Sequence, residues 1–97
     1  MAEKFSRWDS AAHLRSDEDI ALYFEACFEE DPGDGSLIRH ALGVIARARG
    51  MSQLARETGL ARESLYRALS DGGNPEFSTV MKVIKALGIR LHPEVTT

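Results

Sequence analysis

The sequence predicts a small all-α protein, and three observations support this prediction. Apolar residues recur at helical spacing in five segments, and each segment ends at a stretch that contains glycine or proline. The chain has 97 residues, of which 43% are hydrophobic. This size suits one domain, residues 1–97, with a modest core.

The first two helices are predicted on either side of the turn Pro32–Gly35. Acidic residues 17–19 open the first helix, where the helix dipole favours negative charge. Its apolar residues are Ile20, Phe24 and Phe28 at every fourth position, with Leu22, Tyr23 and Cys27 beside them. The second helix is predicted to be capped by Ser36 and to run to about Ala48, with Gly50 as its end. Its buried side is predicted to contain Leu37, Ile38, Ala41, Leu42 and Ile45.

The third and fourth helices are both short. Ser52 is predicted to cap the third, which spans residues 53–58 and ends at Gly59 because a tight turn favours a residue that accepts positive φ. The fourth is predicted over residues 62–70, with Leu65 and Leu69 pointing inward, and is followed by a loop over residues 71–75.

The fifth helix is predicted over residues 76–87, and Gly88 ends it. Its residues at core spacing are Phe77, Val80, Met81, Ile84 and Leu87. The tail that follows alternates apolar and polar residues over 89–92, which fits a short strand or an extended arm before Pro93.

The third and fourth helices have the spacing of a helix-turn-helix. Ala55 lies four residues before Gly59, and its small side chain permits a close helix crossing. Leu54, Leu60 and Leu65 supply apolar contacts. In this motif the second helix enters the DNA major groove. The alternative is a small helical bundle that contains the same residues by chance.

The charge of the chain is unevenly distributed. The whole chain has a formal charge of −3, but residues 1–36 carry ten acids and three bases, whereas residues 37–97 carry nine bases and five acids. Nucleic acid responds to local basic surface, so residues 37–97 are compatible with a polyanion. The acids of residues 1–36 either attract a basic partner or form a solvated helix face.

The exposed positions of the fourth helix carry side chains suited to base recognition. Arginine binds guanine in a bidentate manner, glutamate accepts from cytosine, and a small side chain contacts the thymine methyl. The predicted base-contacting residues are Arg62, Glu63 and Arg67, together with Ala61 and Tyr66. Two alternatives remain: Arg62 and Glu63 as solvated surface charges, and Tyr66 as a residue that stacks on sugar or packs locally.

Contacts to DNA phosphates are predicted for polar residues that flank the base-contacting helix. Side-chain hydroxyls, amides and backbone N–H groups are the usual donors to phosphate. The predicted phosphate-contacting residues are Ser52, Gln53, Ser70, Gly72, Gly73 and Asn74.

The sequence offers little for an enzyme or a metal site. Cys27 is the single cysteine, so neither an intrachain disulfide nor a thiolate zinc site can form. His13, His40 and His92 lack metal-ligand spacing, and no nucleophile or phosphate-loop motif is present. Catalysis, cofactor and metal are not expected.

No apolar run reaches ~20 residues and no signal-peptide core is present, so a cytoplasmic protein without a membrane segment is expected.

The chain resembles addiction-module antidote proteins, which are antitoxins with a Cro/repressor-type (XRE-like) helix-turn-helix. The resemblance rests on "WDSAAHLRSDEDIALYFEACFEE" and on "LIRHALGVIARARGMSQLARETGLARESLYRALSDGGNPEFSTVMKVIKALGIRL". It implies a five-helix, lambda-repressor-like DNA-binding domain that is dimeric, binds and neutralises a small RelE/ParE-type toxin, and represses their shared operon. Ala61 departs from the family, in which this position often carries Ser or Thr that caps the helix.

The resemblance also implies a role for the acidic part, since such toxins tend to be basic. The predicted toxin-binding residues are Asp17, Glu18, Asp19, Glu25, Glu29, Glu30 and Trp8. Phe5 and Trp8 are either anchors for the partner or fold back on the core. The predicted division is therefore an acidic, toxin-binding arm and helix (1–35), a DNA-binding core (36–88) and a tail (89–97).

Two other functions use the same fold. A stand-alone transcription regulator would bind an operator without a toxin, and a protein-interaction adaptor would bind a partner but not DNA. For a repressor, a homodimer is expected, because two recognition helices then meet half-sites one helical turn, ~34 Å, apart on double-stranded DNA.

Overall fold

The computed structural model describes residues 14–96 and confirms the all-α class for them, with five helices and no strand. The helices are α1 (Asp17–Glu30), α2 (Ser36–Arg49), α3 (Met51–Thr58), α4 (Arg62–Ala68) and α5 (Phe77–Ala86). Trp8 and Phe5 lie outside the described residues. This architecture is compatible with a small helical DNA-binding domain.

One hydrophobic core joins all five helices. Helix α1 packs against α2, while α3 contacts α2, α4 and α5. The largest fully buried side chains come from each helix and from the residue after α5: Tyr23, Cys27, Leu42, Val44, Ile45, Leu54, Leu65, Val83 and Leu87. No polar or charged residue of the described part is buried. Burial of apolar surface therefore fixes the positions of the helices.

Helix α1 begins with a side-chain cap and buries a narrow apolar stripe. The Ser16 hydroxyl accepts a hydrogen bond from the Asp19 N–H at 3.1 Å. The buried residues are Ile20, Tyr23, Phe24 and Cys27. The prediction that Phe28 belongs to this stripe is wrong, because Phe28 is 41% exposed and stands edge-on against Phe24, with ring centroids 4.9 Å apart. The stripe follows i, i+3, i+4, i+7 spacing, and Phe28 lies at its margin.

The turn between α1 and α2 is organised by Asp31. One carboxylate oxygen accepts from the N–H groups of Gly33 and Gly35 at 2.8 and 2.9 Å. The other accepts from Leu37 and Ile38 at 2.9 and 3.3 Å. The predicted cap is therefore wrong: Ser36 is the first helical residue and Gly35, at φ 81°, precedes it without a side-chain cap. The Asp31 carboxylate, which lies five residues before the first residue of α2, accepts from the N–H groups of Leu37 and Ile38 in place of a capping side chain.

Helix α3 also starts differently from the prediction. Gly50 ends α2 through its N–H bond to the Ala46 carbonyl at 2.9 Å and directly precedes α3. The helix begins at Met51, which is buried, so Ser52 is an exposed helical residue and not the cap. Burial of Met51 outweighs the capping preference of serine in setting this boundary.

The turn between α3 and α4 follows the predicted pattern. Gly59 has φ 75° and its N–H bonds to the Ala55 carbonyl, as expected for a glycine that ends a helix. Helix α4 begins at Arg62 and is preceded by Ala61, which makes no side-chain cap. The helix ends at Ala68, two residues earlier than predicted, because the next residue, Leu69, forms its C-terminal cap.

Two glycines allow close backbone approaches around α4. A Cβ atom on Gly43 would lie 2.8 Å from the Leu69 carbonyl oxygen, so α2 approaches the end of α4 at backbone distance. A Cβ atom on Gly73 would lie 2.5 Å from the Ala68 oxygen and 2.6 Å from the Arg67 oxygen. Glycine at both positions therefore holds the end of α4 between α2 and the following loop.

Helix α5 is packed through Val83 and Ile84, with Leu87 just beyond its end. The prediction that Phe77 and Met81 lie in the core is wrong, because they are 78% and 39% exposed. Both residues follow the helical period, but they lie at the margin of the face centred on Val83. After Gly88, residues 89–96 have no regular secondary structure, so the strand alternative is not formed within the single chain.

We predict that Asp31 makes the stability of the protein depend on pH. Desolvation alone would raise the pKa of the Asp31 carboxyl, but the hydrogen bonds from Gly35, Gly33, Leu37 and Ile38 lower this pKa below its ordinary value of 3.8. When the pKa of a carboxyl is lower in the folded state than in the unfolded state, its stabilising contribution is fully present at pH values above the unfolded-state pKa. The contribution is lost as the pH falls through the folded-state pKa. Asp31→Asn should therefore lower the urea midpoint at pH 7, and the difference from wild type should shrink below about pH 4.

The matched control for this experiment is Glu94→Gln, which changes an exposed carboxyl in the tail. Its urea midpoint should stay close to that of the wild type at both pH values. A difference between Asp31→Asn and wild type that persists unchanged at pH 3 would contradict the assigned role of Asp31.

We also predict that Ala61→Ser stabilises the fold. Ala61 has the extended backbone of an N-cap, with φ −65° and ψ 142°, but no side-chain acceptor. A serine hydroxyl at this position can accept from a backbone N–H of the first turn, which should raise the free energy of unfolding by about 1 kcal/mol. Urea denaturation of Ala61→Ser, with Ala61→Val as a control that cannot cap, measures the effect. An equal midpoint for Ser and Val would contradict the prediction.

Candidate nucleic-acid interface

The outer face of α4 is exposed. The predicted base-contacting residues Arg62, Glu63 and Arg67 are exposed, as are Ala61 and Tyr66. Their neighbours Leu65 and Leu69 are buried, so these two leucines attach the helix to the core. The structure therefore leaves all five side chains free to meet a ligand.

The first turn of α4 contains an arginine–aromatic contact. The Arg62 guanidinium carbon lies over the Tyr66 ring, 5.6 Å from its centroid. This distance is within the range of a cation–π interaction. Ala61 and Glu63 line the same shallow depression as these two side chains. Tyr66 therefore has a local packing partner in Arg62, while its stacking on sugar stays a prediction.

A second groove separates α4 from the loop that follows it. Arg67 lines this groove on the side of α4, and Gly72, Gly73 and Asn74 line it on the side of the loop. Ser64 and Thr79 also line it, although sequence reasoning did not assign them to the site. Helical spacing alone identifies Ser64 as an outward position. Thr79 needs the path of the loop, which no local pattern provides.

The remaining predicted phosphate-contacting residues lie apart from this groove. Ser70 is exposed and its hydroxyl donates to the Arg67 carbonyl at 2.8 Å. Ser52 and Gln53 are exposed on the first turn of α3. The Gln53 amide donates to Glu57 at 3.2 Å, and both residues line a small depression beside Arg49. Thus the structure brings Arg67 and residues 72–74 together, but not with Gln53.

The loop after α4 is also connected to α2. His40 Nδ1 lies 3.2 Å from Asp71 Oδ1, which gives a hydrogen bond whose donor depends on the histidine tautomer. Together with the close approach at Gly43, this contact positions the end of α4 against α2.

The acidic residues predicted to bind toxin lie on α1. Glu18, Glu25, Glu29 and Glu30 are exposed. Asp17 accepts a hydrogen bond from Arg49 Nη2 at 3.0 Å, and half-buried Asp19 accepts one from the Arg15 N–H at 3.2 Å. Leu22 is 52% exposed on the same helix. Helix α1 therefore presents exposed acidic side chains together with two exposed apolar ones, Leu22 and Phe28. Trp8 falls outside the described residues.

Within residues 14–96, no three histidine, cysteine, aspartate or glutamate side chains are grouped so that they could hold a metal ion. Cys27, the single cysteine of the chain, is buried. None of the five described helices has the length and hydropathy needed to cross a membrane.

Comparison with known proteins places the chain in a family. No solved structure matches it significantly. A protein of Haemophilus influenzae (strain ATCC 51907 / DSM 11121 / KW20 / Rd), described as uncharacterized, is 53% identical over 92 residues, which cover 95% of this chain and 93% of the relative. The sequence model of the family described as "Probable addiction module antidote protein" matches residues 4–95. The chain therefore belongs to the family of probable addiction module antidote proteins.

Proposed function

We propose that this protein is the antitoxin of a type II toxin–antitoxin module. It binds and neutralises a small, basic RelE/ParE-type toxin and represses its own operon by sequence-specific binding to double-stranded DNA. It acts in the cytoplasm by binding and not by catalysis. The observation that carries the proposal is the exposed face of α4 in a member of the antidote family, because this face combines arginine, glutamate and a small side chain at the start of a short helix after a glycine turn.

DNA binding is proposed to use α3 and α4 as a helix-turn-helix. Helix α4 enters the major groove, where Arg62 and Arg67 bind guanine and Glu63 accepts from cytosine. Gly72, Gly73 and Asn74 line the groove beside Arg67 and supply backbone N–H and amide donors for a phosphate. Ser52, Gln53 and Ser70 would contact phosphates next to it.

Repression is proposed to require a homodimer. Two copies of α4 held one helical turn apart, ~34 Å, would read two half-sites and block the promoter. The positive charge of residues 37–97 supports this role, since phosphate neutralisation supplies much of the affinity of protein–DNA complexes.

Toxin binding is proposed to use the acidic surface of α1. Its exposed glutamates would attract a basic toxin, and complementary charges accelerate association more than they increase affinity. The acids of α1 and the proposed base-contacting residues of α4 belong to different helices, so the two proposed sites share no residue.

The experiment that tests the function is a pull-down of the tagged protein from its native cells, with intact-mass analysis of what co-elutes. A stoichiometric small basic protein is expected, and its expression alone should arrest growth. Retention of promoter DNA without such a protein would instead establish a stand-alone regulator. A partner without any DNA binding would establish an adaptor.

We predict that loss of Arg62 and Arg67 weakens operator binding without unfolding the protein. Both side chains are exposed, so replacing them with alanine removes no core packing. Each good arginine–guanine pair is worth about 1–3 kcal/mol, so each single variant should bind about 5- to 160-fold more weakly. Fluorescence anisotropy with a duplex from the protein's own promoter measures the affinity.

The control is Lys82→Ala, which removes an exposed charge on α5 and should bind within about twofold of wild type. Equal affinity for all variants would contradict the assignment of α4.

We predict that charge reversal on α1 slows toxin association. Glu18, Glu25 and Glu29 are exposed and make no hydrogen bond with described residues, so their replacement by lysine leaves the fold intact. The association rate at low salt should fall by about tenfold or more, with a smaller change in the dissociation rate. The control is the same reversal at Glu57, Glu76 and Glu94. Stopped-flow or surface-binding kinetics that show equal rates for both triple variants would exclude α1 as the docking surface.

A further inference from the structure

The contact between Arg62 and Tyr66 lies at the start of the proposed recognition helix. The two residues are four positions apart in α4, so they share one face of the helix. Side chains in a helix lean towards its N-terminus, which directs the Tyr66 ring back over the first turn. The observed distance of 5.6 Å between the guanidinium carbon and the ring centroid reflects this arrangement.

The guanidinium of Arg62 has no competing partner in the described part of the chain. Both ion pairs recorded among residues 14–96 involve other residues, namely His40 with Asp71 and Arg49 with Asp17. The adjacent Glu63 does not pair with Arg62. The Tyr66 ring is thus the group that restricts the direction of this side chain.

We propose that Tyr66 is a positioning residue that orients Arg62 for guanine recognition. This inference rests on the proposed DNA-binding function and adds a specificity-determining residue to it. A ring contacts the flat face of a guanidinium, whereas the N–H donors lie in the guanidinium plane. When the guanidinium lies flat over the ring, its donor edge stays available for the O6 and N7 atoms of guanine.

The physical benefit is a smaller entropy loss on binding. A free arginine on an exposed helix samples many rotamers, and it must lose this freedom when it binds a base edge. The ring of Tyr66 restricts these rotamers before DNA arrives. A cation–π contact at an exposed site changes an equilibrium by about two- to fivefold, and this sets the size of the expected effect.

The test is a double-mutant cycle with operator DNA. Tyr66→Leu removes the ring, Tyr66→Phe keeps the ring and removes the hydroxyl, and Arg62→Ala removes the guided side chain. Tyr66→Leu should bind about two- to fivefold more weakly than wild type, whereas Tyr66→Phe should bind like wild type. In the Arg62→Ala background, Tyr66→Leu should have no further effect. Because Tyr66 is exposed, thermal unfolding should be nearly equal for all variants, which separates positioning from loss of fold.

A second readout is base discrimination at single operator positions. Tyr66→Leu should reduce discrimination at the base pair that Arg62→Ala affects and leave the base pair read by Arg67 unchanged. A merely structural role of Tyr66 would alter both positions equally.

Three results would overturn the inference. If Tyr66→Leu and Arg62→Ala have additive effects, Tyr66 acts on DNA by itself. If Tyr66→Phe is as weak as Tyr66→Leu, the hydroxyl and not the ring is important. If the wild type binds no DNA fragment from its own promoter, the proposed DNA-binding function fails and the inference fails with it. The first two results leave the proposed function standing, so the two failures are distinguishable.

Discussion

The packing of α4 against the core is the constraint on which the site depends. A helix of seven residues is unstable in isolation, because the cost of nucleating a helix exceeds what so few backbone hydrogen bonds return. Burial of Leu65 and Leu69 supplies the missing stability. The same burial turns the opposite face outward, so the anchoring of α4 and the exposure of its polar side chains have one cause. Helices α2, α3 and α5 therefore support the candidate site without contributing any of the proposed base-contacting residues.

The sequence predicted helix ends well where a glycine marks them, because the need for positive φ is a local property. Gly59 is such a case. Helix starts were predicted less well, because the acceptor that caps a helix need not be the adjacent residue. Asp31 caps α2 although it lies five residues before the helix begins, on the other side of a turn whose conformation sequence patterns do not predict. The error at Phe77 has a different origin. Helical spacing identifies which face of α5 points inward, but the number of residues buried on that face depends on the neighbouring helices.

For the candidate site, sequence patterns predicted which residues lie on the outer face of α4, since buried leucines fix the helical phase. They did not predict which side chains meet one another. The contact between Arg62 and Tyr66 depends on rotamers, and the groove between Arg67 and Asn74 depends on the loop path set by Gly73. The antidote family itself came from similarity over nearly the whole chain, because no short motif in this sequence specifies a toxin partner.

The backbone approach between Gly43 and Leu69 has a consequence for how this protein can evolve. Elsewhere in the core the distance between helices is set by side chains, so it shifts whenever a leucine becomes a valine or a methionine. Here main-chain atoms set the distance, and drift in the surrounding side chains leaves it unchanged. The placement of the end of α4 against α2 is thereby less sensitive to substitutions in the core. The residues on the outer face of α4 can be exchanged without altering this contact, so under the proposed function the recognised sequence can change while the helix keeps its position.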